Sequence, residues 1–574
     1  MSLFSPLHES RHGREEIDAR LKVLEQKGFV KRLWEKDPTL WHTGPAHHQI
    51  IRNALGWLNL VEQEIEFLPR IKALVESVCA DGFKNILLLG MGGSSLSAEV
   101  FRTIFGIVPG FPELHVLDST IPAQIKRIEN QIDLAKTLFI ISSKSGRTIE
   151  TISLYQYFFN QVQKIKGDQA GTHFIAITDP ASPLSVLARK NQFRDLFLGA
   201  PDVGGRYSAL SHFGIIPAAL MGVNVERLLY RAKQMVVSCG ADIPPAQNPG
   251  VLLGVTLSEL AKLGRDKITF IASPAIQSFS TWLSQLIAES TGKEEVGIVP
   301  ISDEPPGNPD VYGYDRIFVY IHYAGESETE PDKITALKNA GFPIIQAQIS
   351  DFLNLGQAFF LWEMATAIAG ALLRINPFDQ PNVQESKDCT QLLLDEFKRK
   401  GELREDLPLV IEQGISIFCD DRNKNWLKAY KTVSEILADH LNQINLGDYV
   451  AFNVYLERSD VVHQALAAMR LAIRDKKKVA TLLDYGPRFL HSTGQLHKGG
   501  ANCGLFIQIT SDDLEDVAIP GEIFTFGLLK SAQAEGDFKS LAQGRRRIIR
   551  IHLGSDVAAG LNCLQQVMDT ILSQ

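Results

Sequence analysis

Up to about residue 80, apolar positions such as Leu21, Leu24 and Phe29 recur at helical spacing among many charges, which predicts a helical opening segment. Beyond it the period changes. Short runs rich in Ile, Leu and Val alternate with longer helical stretches, the pattern of parallel strands covered by helices on both faces. A first group of strands is predicted at 85–89, 114–117, 138–142 and 174–178. After a polar, proline-containing stretch at 243–249, a second group follows at 268–272, 317–321 and 344–349. The helix holding Phe359 to Leu373 precedes a charged stretch, 398–406, that reads as a linker. A third group is predicted at 449–455, 479–483, 505–509 and 548–553. The expectation is an α/β chain in four parts: a helical segment (1–80), two doubly wound parallel-sheet domains (81–240 and 241–397) and a C-terminal α/β region (398–574).

Composition narrows the class. Of 574 residues 45% are hydrophobic and 22% charged, which is ordinary for a globular enzyme. The net charge of −8 argues against a general nucleic-acid binder, which carries a basic surface. The six cysteines are scattered without a C-x-x-C pair, which fits reduced thiols in the cytoplasm better than a disulfide framework. The N-terminus is charged from His8 onward and lacks the apolar core of a signal peptide, and no run of about 18 uncharged apolar residues predicts a membrane span. The basic run Arg545, Arg546 and Arg547 before a strand reads as a solvated edge.

Two strand-to-helix turns carry candidate chemistry. In NILLLGMGGSSLSAEVF, Gly90, Gly92 and Gly93 permit a tight turn and close approach of a ligand, and Ser94 stands at the helix start. In TLFIISSKSGRTIET, Ser143, Lys144, Ser145 and Thr148 place three hydroxyls and a cation beside free helix-start amides, which suits a phosphate monoester. Capping is the plain alternative, but one cap needs one hydroxyl, and here there are three.

With both turns in hand the chain resembles the SIS (sugar isomerase) fold and, more narrowly, the phosphoglucose isomerase family. The resemblance rests on five motifs in order: GMGGSS, SSKSGRTIET, VGGRYSALSHFG, QLIAESTGK and INPFDQPNVQESK. The forms HSTGQLHKGG and PFDQPNVQESK are most like the isomerase half of bifunctional transaldolase–phosphoglucose isomerases. The resemblance implies two SIS-type domains and interconversion of glucose 6-phosphate and fructose 6-phosphate through a cis-enediol(ate), with neither metal nor cofactor. It implies Glu289 as the base at C1 and C2, Arg206 near the developing oxyanion, Lys387 at the ring-opening step, and Gln380 beside the reacting carbons. Gln285 lies one helical turn before Glu289 on the same face. Read without the motifs, Glu289 would be a solvated helix end, Arg206 a structural ion pair and Lys387 a surface lysine.

The ring-opening histidine is displaced. Between Glu289 and Lys387 the only histidine is His322, on an apolar strand. GPRFLHSTGQLHKGG resembles the missing segment, which implies His491 as the ring-opening group, with Gly486 before it and Gln495 and His497 after it; a structural histidine is the alternative. Glu150 matches a glutamate that the family uses around this histidine. In the family the histidine comes from a second subunit, so a homodimer is possible. Two other readings stay open: a non-catalytic SIS module sensing sugar phosphates, and an isomerase acting on mannose 6-phosphate.

Overall fold

The computed structural model describes residues 4–5, 13–41, 44–328, 331–402, 407–420, 422, 424, 427 and 429–573. The charged opening around His8 and the 403–406 part of the expected linker lie outside the described residues. The helix Pro381–Lys400 runs through residues 398–400, which the sequence reading had placed in that linker.

The first sheet is wholly parallel, in the spatial order Glu113–Leu117, Asn85–Gly90, Thr137–Ser142, Phe174–Thr178 and Asp195–Leu198. Successive side chains of a strand point to opposite faces. Ile86, Leu88, Ile140 and Ile175 therefore enter one hydrophobic core, while Leu87, Leu89, Phe139 and Ile141 enter another. Burial on both faces is why these strands read as continuous apolar runs.

The second sheet runs Phe4–Ser5, Ile344–Ile349, Arg316–Tyr323, Lys267–Ala272 and Val299–Ile301, parallel except at its first pairing. The third runs Val410–Glu412, Ile415–Cys419, Arg547–His552, Gly504–Thr510, Tyr449–Tyr455 and Ala480–Tyr485. Its first two pairings are antiparallel and the rest parallel. Every strand expected from the sequence is present, with ends displaced by at most two residues. The unanticipated ones, Asp195–Leu198, Val299–Ile301, Phe4–Ser5, Val410–Glu412 and Ile415–Cys419, are short and lie at or near sheet edges, where no long apolar run is needed.

The packing of these parts positions the site. One core joins Leu21, Leu24 and Phe29 of the opening helices to one face of the first sheet and to Ile268, Val319 and Ile345 of the second. The other face of the first sheet is covered partly by the third region, through Val517, Phe524, Phe526 and Leu529. The second and third sheets meet around a buried carboxylate. Glu304 lies 3.1 Å from Arg316, with Arg474 and Arg470 at 3.8 and 3.9 Å. A buried carboxylate with three guanidinium partners is costly to break from one side, because the remaining charges stay desolvated.

The stretch Phe352–Leu373, which includes the helix Leu355–Leu373, is long and apolar enough to cross a membrane, yet most of it is buried inside the protein. It is a core helix, and burial pushes the carboxyl of Glu363 at its centre well above the usual range. The basic run 545–547 is a solvated edge only at Arg545, which is exposed. Arg546 is buried and donates to the carbonyls of Lys498 and Gly500, and Arg547 pairs with Asp448 at 2.7 Å. The carbonyls of a tight loop supply the acceptors that make such burial tolerable.

Candidate active site

The helix Phe279–Thr291 ends against the protein interior and carries Gln285 and Glu289 one turn apart. Gln285 Nε2 donates to Glu289 Oε2 at 3.1 Å. Arg206 Nη1 stands 3.0 Å from Glu289 Oε1, with the arginine side chain 3% exposed and the glutamate 12%. All five guanidinium donors of Arg206 are engaged. Nε faces Ser290, Nη2 faces the carbonyls of Pro377 and Asp379, and Nη1 is shared between Glu289 and Gln380 Oε1 at 3.2 Å. Arg206 thus ties the glutamate helix to the FDQ segment. Gln380 stands at the N-cap of the helix Pro381–Lys400, and Pro381 opens that helix, where its missing donor is harmless.

Lys293 strengthens the same joint, and sequence reasoning passed over it although it ends the QLIAESTGK motif. Its Nζ donates to Asn376 O at 2.7 Å, to Asp379 Oδ1 at 2.9 Å and to Asp379 O. Burial, and then the charge of Arg206, pushes its pKa down to about 7.

The glycine turn holds these parts together rather than standing open. A Cβ on Gly93 would collide with the carbonyl of Gly205, beside Arg206. Gly92 has a φ of +53°, and a Cβ there would come within 2.6 Å of the His491 carbonyl and 2.9 Å of Gln285 Nε2. The close approach that the glycines were expected to offer a ligand is made by the protein's own backbone. Ser94 is buried beside them, its carbonyl accepting from Ser142 Oγ at 2.7 Å.

The hydroxyl loop opens on a cavity of about 550 Å³ lined by Ser145, Arg147, Thr148, Glu150, Lys387, His491 and Gln533, among others. The helix Ile149–Lys166 starts at Thr148, whose side chain makes no cap bond; the Glu150 amide meets its own carboxylate, and the other first-turn donors are left for an anion. Ser143 is buried and 3.0 Å from Thr148, and it accepts from the Gly146 amide. Lys144 does not point to this cavity. Its Nζ pairs with Asp179 at 2.6 Å and also reaches the carbonyls of Ala200 and Pro201, so the cation lining the cavity beside the hydroxyls is Arg147. A carboxylate and two carbonyls together are strong acceptors for an ammonium group. Replacing Ser143, Ser145 and Thr148 together with Ala is expected to raise KM for a phosphate monoester substrate by roughly 10–100-fold, the scale of losing hydrogen bonds to a charged group. kcat should fall less, because the phosphate is remote from the reacting carbons. Steady-state kinetics on a variant whose circular dichroism matches the parent checks this, and an unchanged KM would reject the assignment.

His491 enters from the third region. Its Nε2 lies 2.9 Å from Glu150 Oε1, and its carbonyl accepts from Gln285 Nε2 at 2.8 Å. Gln285 therefore touches both Glu289 and the His491 backbone. Glu150 is buried, which by itself would raise its pKa, but the charge and hydrogen bond of His491 prevail and hold it below the usual carboxylate range. The loop after His491 is clamped by Gln495, which is fully buried and reaches Gly292 O and Asn382 Oδ1, both at 2.9 Å. His497 is packed among the rings of Tyr449, Phe489 and Phe506. Burial, then Lys498 and Arg546, pushes its pKa well down, so it stays neutral. His322 lies on the strand Arg316–Tyr323, its Nδ1 3.3 Å from Ser273 Oγ, apart from these residues.

A family model described as phosphoglucose isomerase matches residues 59–300. A glucose-6-phosphate isomerase of Rubrobacter xylanophilus is 30% identical over 376 residues, which is 57% of this chain and 86% of that protein. A probable glucose-6-phosphate isomerase of Methanococcus maripaludis is 29% identical over 346 residues, 53% of this chain and 77% of the relative. Among solved structures, a hypothetical protein of Thermus thermophilus has the same fold with a TM-score of 0.59 at 24% identity, covering 68% of this chain and 99% of that one.

Proposed function

This chain belongs to the phosphoglucose isomerase family, and from that premise we infer that it interconverts glucose 6-phosphate and fructose 6-phosphate, with Glu289, Arg206, Lys387, Gln380 and His491 dividing the chemistry. The observation that carries the division of labour is Gln285, whose single amide nitrogen reaches Glu289 and the His491 backbone, so that base and histidine share one anchor.

The phosphate is held by Ser145, Thr148 and the uncapped amides of the helix they precede, with Ser143 bracing Thr148 and Arg147 at the rim. His491 gives Nε2 to Glu150, which leaves Nδ1 to exchange a proton with the ring oxygen as the sugar opens. Lys387, exposed on the same cavity, contacts the ring oxygen and neighbouring hydroxyls as a fixed positive charge. Glu289 removes the proton from C2 of the open aldose and returns it to C1, while the O2 hydroxyl proton passes to O1, so the carbonyl moves from C1 to C2 through the enediol(ate). Arg206 keeps Nε and Nη2 on buried acceptors. The Nη1 donor now facing exposed Gln380 is the one that turns to the enediolate oxygen, and it needs no titration to do so.

His491 and Glu150 meet within one chain, so the proposed chemistry draws every group from a single copy, and a homodimer is not required for it. The six cysteines are all free thiols, which supports a cytoplasmic site of action. The test is a coupled assay offering fructose 6-phosphate with glucose 6-phosphate and mannose 6-phosphate followed separately. Glucose 6-phosphate is the expected product; mannose 6-phosphate instead would move the activity to the second sugar, and no turnover would leave a sensing module.

A further inference from the structure

Glu150 has a second partner that no motif announced. Gln533, on the helix Phe526–Gln543 of the third region, donates its Nε2 to Glu150 Oε1 at 2.7 Å, the same oxygen that His491 Nε2 approaches at 2.9 Å. Thr120 Oγ1, after the first strand of the first sheet, donates to Gln533 Oε1 at 2.8 Å. Gln533 is 2% exposed and Thr120 fully buried. A carboxylate only accepts, so the amide nitrogen has to face Glu150 and the amide oxygen has to turn to the threonine hydroxyl. Both ends of the amide are therefore spoken for, and its orientation is locked.

We infer that Gln533 is a positioning residue for ring opening, holding the Glu150 carboxylate so that His491 presents its other nitrogen to the sugar. The inference rests on the reading of His491 given above. A neutral donor suits this place. It satisfies a buried carboxylate without neutralising it, so Glu150 keeps the charge that pairs with an imidazolium. The charged and titratable groups facing Glu150 are His491 from its loop, Lys387 from the helix Pro381–Lys400 and Tyr455 from the third sheet. Gln533 also anchors the third region to the hydroxyl loop of the first sheet, so the helix that supports the histidine is tied directly to the histidine's partner.

Two substrates separate ring opening from the enediol chemistry. Fructose 6-phosphate must open its ring, whereas 5-deoxyfructose 6-phosphate lacks the hydroxyl that closes it. Gln533→Leu is expected to lower kcat/KM on fructose 6-phosphate about 10-fold, the scale of one hydrogen bond to a charged group, while the open analogue stays within about twofold. Gln533→Glu, nearly isosteric, puts a second carboxylate against Glu150 and raises the pH at which Glu150 takes up a proton. Its activity on fructose 6-phosphate should therefore fail at higher pH on the acid side than the parent's, with the analogue's profile unmoved. If Gln533→Leu does not fold, the pH profile of Gln533→Glu decides alone. Parent-like rates and profiles in folded variants would overturn the role of Gln533, as would equal losses on both substrates. A parent enzyme inactive on fructose 6-phosphate would instead overturn the functional reading on which it rests.

Discussion

Glu289→Gln is expected to lower kcat by roughly 10²–10⁴-fold, the range for losing a positioned general base, with the smallest effect on phosphate binding. The amide is almost the size of the carboxylate, so its oxygen still faces Arg206 while the proton acceptor is lost; Gln285 gives up its bond to the second oxygen and keeps the one to the His491 carbonyl. Arg206 Nη1 then faces an amide oxygen instead of a charge, and Ser290, Pro377 and Asp379 still hold the rest of the guanidinium. The measurement is exchange of the C2 hydrogen with solvent alongside net isomerisation. Both should fall together, with KM little changed because the loop we propose for the phosphate is built from other residues. Exchange persisting near the parental rate would show that another group carries the proton. Loss of exchange with a large rise in KM would show that Glu289 is part of the binding surface.

His491→Ala is expected to be the second severe variant, and a selective one. Loss of a positioned acid–base group costs roughly 10²–10⁴-fold on the step it serves, so turnover of fructose 6-phosphate should drop steeply while 5-deoxyfructose 6-phosphate keeps most of its rate. The selectivity follows from the geometry: His491 touches Glu150 through Nε2, and its side chain shares a cavity with Lys387, whereas only its backbone carbonyl meets Gln285 of the Glu289 helix. His497→Ala should show no such preference, since that ring is buried, neutral and surrounded by aromatic side chains. Co-expressing His491→Ala with Glu289→Gln tests where the histidine comes from. A site drawn from one copy of the chain stays inactive in the mixture. Restored turnover would place the histidine in trans.

What the sequence determined by itself was everything that depends on local period and local chemistry. Strands buried on two faces announce themselves as apolar runs, so the central strands of all three sheets were legible, and a turn with three hydroxyls marked the start of a helix, where we propose the phosphate is held. The Gln285–Glu289 bond follows from one helical turn, and the start of the helix at Pro381 from the fixed φ of proline. Tertiary structure decided which polar groups meet. Glu150 and His491 are 341 residues apart, and Glu150 and Gln533 are 383 apart. No spacing rule reaches across such distances, because the pairing depends on the third region covering the far face of the first sheet. The same holds for Lys144, turned away to Asp179, and for Arg546, buried under a loop that comes to it only in the folded chain. The edge strands were missed for a related reason: with one neighbour or a short pairing they need little apolar sequence, and only the finished sheet beside them makes them strands. A hydrophobic period is written in consecutive residues, whereas the partner of a charged side chain is chosen by whatever the fold brings within about 3 Å of it.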